Sequence, residues 1–420
     1  MDMTMSEFAK LAPWILKFGS HRALEKATGR RPRTLDDVPQ SAEAITPEWL
    51  TLAICNHVPG AAVTSVRAFG GSDGTTSRRA LEVTYNDVGF RAGLPPRLFT
   101  KATTHLPSRL TGVSIGKIAM EVGFYREFRP DLESNAMRAW HAGTGSLPAQ
   151  AGNDLGVEAT RALYAGADAR SGRSLIIFED LVALQGCRFL EPAAPVDRDM
   201  AEQMIDLLAR IQARFWEDPR FDGRFKWLRT PFDYMHGINA ILPFENRSNL
   251  GIQRALSVMP PALVGRDKEL WAAHMRSLEL SSRAPRTIIH WDVHIGNWYQ
   301  TGEGRMGLSD WGMLHGSFAA DLAYALSSAL TIETRRAWER DLVQRHVTRL
   351  AEFGVANPPS FDEAWLAYRQ QMFHPLYFWL VTIGAGALQP DMQPNRICLA
   401  NIERMATAVT DLDSLKALDE

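Results

Sequence analysis

His290-Trp291-Asp292-Val293-His294-Ile295-Gly296-Asn297, followed by Leu308-Ser309-Asp310-Trp311-Gly312, is the stretch on which the fold assignment turns. An Asp with an Asn five residues later sets a carboxylate and an amide oxygen on one short loop. Phosphoryl transfer needs such a set. A carboxylate orients the attacking hydroxyl or accepts its proton, and oxygen ligands hold magnesium against the phosphates. Between Asn297 and Asp310 the residues WYQ-TGEG-RMGLS read as a hairpin with Thr-Gly-Glu-Gly as its turn. Asp310 then returns just past the second strand and closes the metal site from the other side. A zinc site competes with this reading, because His290, Asp292 and His294 alternate as ligands on a strand do. That alternative leaves Asn297 and Asp310 unexplained, and the other histidines are scattered singly.

Upstream, the texture from Ala62 to Ala102 is strand-like. Short runs rich in Val, Thr, Phe and Tyr, at 63–69, 79–85 and 97–101, are broken by Gly, Asn-Asp and Pro. Between the first two runs lies Phe69-Gly70-Gly71-Ser72-Asp73-Gly74-Thr75-Thr76. Glycines let a backbone approach phosphate oxygens, and Ser72, Thr75 and Thr76 offer donors. Gly71, Ser72, Gly74, Thr75 and Thr76 are therefore candidates for holding a nucleotide. A plain Gly-rich hairpin turn is the alternative, and GxGxxG is absent.

Residues 116–128 read as a helix and 175–178 as a short buried strand. Beyond Asp197 the chain is mostly helical, with Met200, Met204, Leu207, Leu208, Ile211 and Phe215 on one apolar stripe. The tail from Thr331 to Leu418 has the same texture. Near the N-terminus a helix is expected around Glu7 to Lys26. Another is opened by Pro47 after Thr46, Pro being favoured at the first helical position. The expected fold class is α+β, in three parts. A helical extension spans 1–54, a small antiparallel-sheet N-lobe 55–180, and a large helical C-lobe 181–420.

The order HWDVHIGN, SDWG and then Asp321-Leu322-Ala323 resembles the aminoglycoside-phosphotransferase and choline-kinase-like branch of the bilobal protein-kinase-like fold. That family carries an HGDxHxxN loop, an Ile-Asp-Trp or Asp-Phe element, and a downstream Asp in a DLA motif. The resemblance implies ATP and Mg2+ as cofactors. It implies Asp292 as the catalytic aspartate, Asn297 and Asp310 as magnesium ligands, and His290 as a brace for the loop. Asp321 is then a structural residue near the site. Trp291 departs from the pattern, since these relatives usually have Gly there, and it reads as a local packing change.

The run Arg97 to Lys101 resembles the LPxxLFxK element of ecdysteroid-kinase-like phosphotransferases, which implies Lys101 as the phosphate-binding lysine. Its partnering glutamate should lie on the next helix. Glu121 sits three residues before Phe124 and seven before Phe128, on the apolar face, whereas Glu127 falls well round from it. Glu121 is therefore chosen. Phe178, Glu179 and Leu181 fall where the resemblance places the adenine against a hinge backbone.

Composition narrows the rest. A net charge of -2 gives no general attraction to nucleic acid or to anionic membrane. Three dispersed cysteines fit a reducing, cytoplasmic setting. The uncharged stretch between Arg369 and Asp391 is marginal in length for a membrane span, and its His374, Pro375 and Gln389 favour a buried helix.

The expected function is ATP-dependent phosphorylation of a hydroxyl on a small, partly apolar molecule. An antibiotic-resistance kinase and a catalytically silent nucleotide-binding regulator are the alternatives. From Thr331 onward acids and bases nearly balance, with no acidic cluster to receive a polycationic sugar. Trp365, Tyr368, Phe373, Tyr377, Phe378 and Trp379 crowd the same region, either as core or as an apolar acceptor site. Tyr234, His236 and Trp298 are positioned in sequence to border the acceptor.

Overall fold

Leu81, Leu98, Leu175 and Ile177, none of them exposed, belong to one core cluster and mark the inner face of a sheet. The computed structural model describes residues 5–29, 31–74, 76–114, 116–133, 158–241, 243–385 and 393–420. The chain divides between Arg188 and Phe189 into two compact units, whereas the sequence places its boundary at 180.

The first unit holds five antiparallel strands: β1 Val63–Asp73, β2 Ser77–Tyr85, β3 Arg97–Ala102, β4 Ala162–Asp168 and β5 Arg173–Glu179, in the order β1-β2-β3-β5-β4. Helix α1 spans Met5–Thr28 and α2 spans Pro47–Ile54, with Thr46 capping α2 by accepting the Trp49 N–H. Trp49, Leu50 and Ile54 pack into the sheet's core beside Val38 and Ile45. The segment 1–54, expected as an extension, thus shares the sheet's core through α2. Helix α1 is tied to the same unit by Phe18, fully buried, and by Glu25, which receives both terminal nitrogens of buried Arg109 at 3.0 and 2.7 Å. Only the first part of the helix expected at 116–128 is α-helical. Lys117–Gly123 is followed by a π-turn over Phe124–Phe128 and a 3-10 turn over Arg129–Leu132.

The second unit is mainly helical. Asp197 caps the Arg198–Arg214 helix by accepting the Met200 N–H, and the predicted stripe from Met200 to Phe215 is buried. Every residue of the Ala319–Ala329 helix is buried. It packs against the Arg198–Arg214, Ile332–Glu352, Phe361–Gln370, Phe373–Ile383 and Asn395–Asp411 helices. Two short pairings frame the HWDVHIGN loop: Thr287–Ile289 with Leu314–Gly316, and the hairpin Trp298–Gln300 with Met306–Leu308. Among the described residues no helix is long and apolar enough to cross a membrane. The uncharged stretch includes the Phe373–Ile383 helix, buried but for half-buried Phe378, and 386–390 within it lie outside the described residues.

Candidate active site

The strand Thr287–Ile289 delivers His290 and Trp291 onto a buried carboxylate. Asp321, from the first turn of the Ala319–Ala329 helix, accepts the His290 N–H at 2.6 Å and the Trp291 N–H at 2.9 Å. Burial pushes its carboxyl up to about 7, against the pull of these two amides. His290 then braces the loop from within. Its Nδ1 accepts the Asp292 N–H at 3.2 Å, and its Nε2–H donates to the Ser309 carbonyl at 2.9 Å. Both ring nitrogens are thereby used in hydrogen bonds, which leaves no lone pair for zinc. Among the described residues no cluster of three His, Cys, Asp or Glu is placed to hold a metal ion.

Asp292 is buried, and its carboxylate meets the neighbouring helix. The Tyr324 hydroxyl donates to Oδ1 at 3.4 Å, and His294 Nε2 lies 3.8 Å from the same oxygen. Burial, then the adjacent Asp292 charge, raises the Tyr324 phenol well above its ordinary range, so it remains a donor.

Asn297 bonds back through its Nδ2–H2 to the Asp292 carbonyl at 2.7 Å, which directs the amide oxygen away from that bond. The hairpin register sets Trp298 opposite Leu308. Beyond it the Asn297 carbonyl accepts both the N–H and the hydroxyl of Ser309, each at 2.9 Å. Asp310 is the next residue, at φ 62°, a left-handed conformation that Asp tolerates better than most. The structure thus brings Asp292, Asn297 and the backbone leading to Asp310 together. One amide oxygen and one carboxylate are hard oxygen donors of the kind that suits Mg2+.

Trp291 has φ 72°, which costs an L-residue about 1–2 kcal/mol. Its carbonyl accepts from His374 Nε2 at 2.9 Å, and its indole stacks on the His374 ring.

In the sheet-bearing unit, Lys101 on β3 donates to both oxygens of Glu121, at 2.8 and 2.9 Å, and both residues are buried. Two charges removed from water need this close pairing to persist. Gly71, at φ 93°, lies where β1 and β2 are irregular in register, and a Cβ there would overlap the Arg78 carbonyl oxygen. β1 extends through Ser72 and Asp73, so the turn itself is shorter than the sequence suggests. Gly74 donates to the Thr76 carbonyl at 3.2 Å. The Thr76 hydroxyl is buried without a hydrogen-bond partner among the described residues, an acceptor-seeking group next to a proposed phosphate loop. Thr75 lies outside the described residues. Phe178 and Glu179 end β5, where Glu179 pairs with Arg161 at 3.2 Å, and Leu181 opens the short Leu181–Gln185 helix.

The acceptor candidates separate. Trp298 is fully buried, with its indole N–H on the Val293 carbonyl at 3.0 Å, and so supports the loop from behind with no face to offer a substrate. Tyr234 is buried edge-on to Trp291, and exposed His236 stacks on Phe232. Of the crowded aromatics, Tyr368, Phe373, Tyr377 and Trp379 are core, while Trp365 and Phe378 are half-buried. The sequence reading missed Tyr324 and His374. A tyrosine three residues after Asp321 was its one available signal for the first, and nothing local marks the second.

A model of the phosphotransferase enzyme family (APH) matches residues 147–367, more than half of the chain. The chain belongs to this family. It is therefore an enzyme of the kinase type, and the matched residues include Asp292, Asn297, Asp310 and Asp321 but not Lys101, Glu121 or His374. No curated protein matches this phosphotransferase. Among solved structures it is similar to choline kinase LicA from Streptococcus pneumoniae, with 13% identity over 83% of this chain and 94% of that one, TM-score 0.37. It is also similar to a microcompartment-associated aminopropanol kinase, with 15% identity over 83% and 91%, TM-score 0.44. A third likeness is to a macrolide 2'-phosphotransferase type I, with 12% identity over 86% and 95%, TM-score 0.38. At these scores the likeness stays general, and membership rests on the family model.

Proposed function

We propose that this phosphotransferase uses ATP and Mg2+ to phosphorylate a hydroxyl of a small, neutral or anionic molecule with a substantial apolar part. The observation that carries the reading is the convergence of Asp292, Asn297 and the Asp310 turn through the Asn297–Asp292 and Ser309–Asn297 bonds. Asp292 orients the acceptor hydroxyl and takes its proton. Asn297 and Asp310 would supply oxygen ligands for the metal, and Lys101, held by Glu121, would serve phosphate oxygens. Bound MgATP supplies the γ-phosphoryl group and neutralises the charge that develops on it.

For the substrate class, the C-terminal carboxylates are informative. Glu339 and Asp411 pair with Arg335, Asp411 also with Arg336, Glu352 with Arg349 and Glu420 with Arg369. Carboxylates already matched to guanidinium groups are poor replacements for the hydration of an amine-rich sugar. Half-buried Phe378, 6.0 Å from the Tyr324 ring, offers apolar surface beside the residue that touches Asp292. The test is a competition in which kanamycin and an aryl alcohol are offered together with γ-labelled MgATP. Label transfer to the aryl alcohol is expected. Preferential labelling of kanamycin would overturn the substrate class and leave a kinase of antibiotics.

A further inference from the structure

Trp291 is gripped on three sides. Its N–H donates to Asp321 Oδ1 at 2.9 Å, and its carbonyl accepts from His374 Nε2 at 2.9 Å. Its indole lies against the His374 imidazole with ring centroids 3.4 Å apart and planes 15° from parallel. Tyr234 closes the indole's edge at 6.2 Å. A residue that fills a left-handed position with an indole needs such restraint to stay there. His374 in turn packs edge-to-face with Tyr324 at 5.6 Å and with Phe378 at 5.8 Å. The Tyr324 hydroxyl returns to Asp292 Oδ1 at 3.4 Å. The contacts form a ring: Trp291, His374, Tyr324, Asp292 and back along the chain to Trp291.

We propose that Trp291 and His374 form a positioning pair for the Asp292 carboxylate. His374 fixes the peptide immediately before Asp292 and also backs the tyrosine that hydrogen-bonds its carboxylate. The inference rests on Asp292 being the catalytic aspartate. A carboxylate must be held within about 0.5 Å and 10–20° of its working geometry to act on an acceptor hydroxyl. A residue that packs without positioning contributes nothing to that. Burial keeps the His374 imidazole neutral, its pKa lowered to about 4, and the Trp291 carbonyl holds the ring's proton on Nε2. His374 lies beyond the residues matched by the family model, whereas Trp291 and Tyr324 lie within them.

The test uses the full-length protein and γ-labelled MgATP with water as acceptor, followed long enough to read slow hydrolysis. His374→Phe keeps an aromatic ring and removes the donor to Trp291. Tyr324→Phe removes one hydroxyl and no packing volume, and it serves if His374→Phe does not fold. The pair predicts that each lowers kcat by about 10-fold with KM for MgATP within about 2-fold. The double variant falls short of the product of the two effects, because both act through one carboxylate. Folded variants with wild-type kcat would overturn the inference. Asp292→Asn, run alongside, separates the two claims. Its loss of hydrolysis with unchanged His374→Phe and Tyr324→Phe removes only the positioning pair. Wild-type hydrolysis by Asp292→Asn removes the catalytic assignment itself.

Discussion

Gly71 and Trp291 both stand at positive φ beside proposed phosphate chemistry, at 93° and 72°, and they reach it by opposite means. At Gly71 the reason is local: any Cβ would overlap the Arg78 carbonyl, so only Gly fits. At Trp291 the conformation is imposed from a distance by Asp321, thirty residues on, and His374, eighty-three residues on. The sheet-bearing unit shows its candidate geometry in short sequence segments, whereas the HWDVHIGN loop borrows its geometry from helices that follow it. A local rule is visible in sequence. A long-range restraint is not.

The largest stability effect separating the two regions is expected at the Lys101–Glu121 pair. Lys101→Met removes the ammonium group that the buried Glu121 carboxylate faces, which costs about 3–5 kcal/mol. Adding Glu121→Gln recovers part of that stability and none of the turnover, as chemical denaturation and label transfer would show. Full recovery of turnover would mean that the pair is only structural.

Next is the acid limb of stability. His374 is held near 4 in the folded chain, against an ordinary value of 6.5, chiefly by burial. Its folded pKa is depressed, so the neutral ring contributes fully above about 6.5. That contribution, about 3 kcal/mol, is lost as pH falls towards 4. His346, lowered to about 3 by burial, adds a similar loss, and Asp321, raised to about 7, acts in the opposite direction over pH 4–7. His374→Phe should flatten the slope between pH 6.5 and 4. An unchanged slope would contradict a buried neutral His374.

Trp291→Gly sharpens the comparison further. Loss of the indole leaves a cavity costing about 3–5 kcal/mol, and relief of the left-handed strain returns about 1–2. A net loss of about 2 kcal/mol is expected, whereas Gly71→Ala, which adds one methyl, should lose about 1–2 kcal/mol through the backbone overlap. If Trp291→Gly were stabilising, the indole's stack on His374 would not be what holds this residue in place.

Much of this was legible because it is periodic or capped. Strands β1, β2, β3 and β5, the Thr46 cap, the Arg198–Arg214 stripe and the 298–308 hairpin all announce themselves within a dozen residues. The choice of Glu121 over Glu127 followed from helix spacing, and the structure sets Glu121 on Lys101. β4 did not announce itself. Its ALYAGAD carries small residues at an edge position, and Tyr164 joins it to the core by meeting Trp49 from α2. Thr287–Ile289 and Leu314–Gly316 are three residues each, too short for any period to show. The π-turn at Phe124–Phe128 breaks a helix whose residues would continue it. Trp298 looked like an acceptor contact because it adjoins Asn297, yet its ring is fully buried with its indole N–H on the Val293 carbonyl.

The central claim is that Asp292 acts on the reacting group and not on the resting nucleotide. It is tested most directly by measuring MgATP binding by calorimetry and γ-phosphoryl release on the same preparation of Asp292→Asn. The account predicts release lowered by about 10²–10⁴-fold, with Kd for MgATP within a few-fold of the wild type. Undiminished phosphoryl release by the folded variant would contradict it.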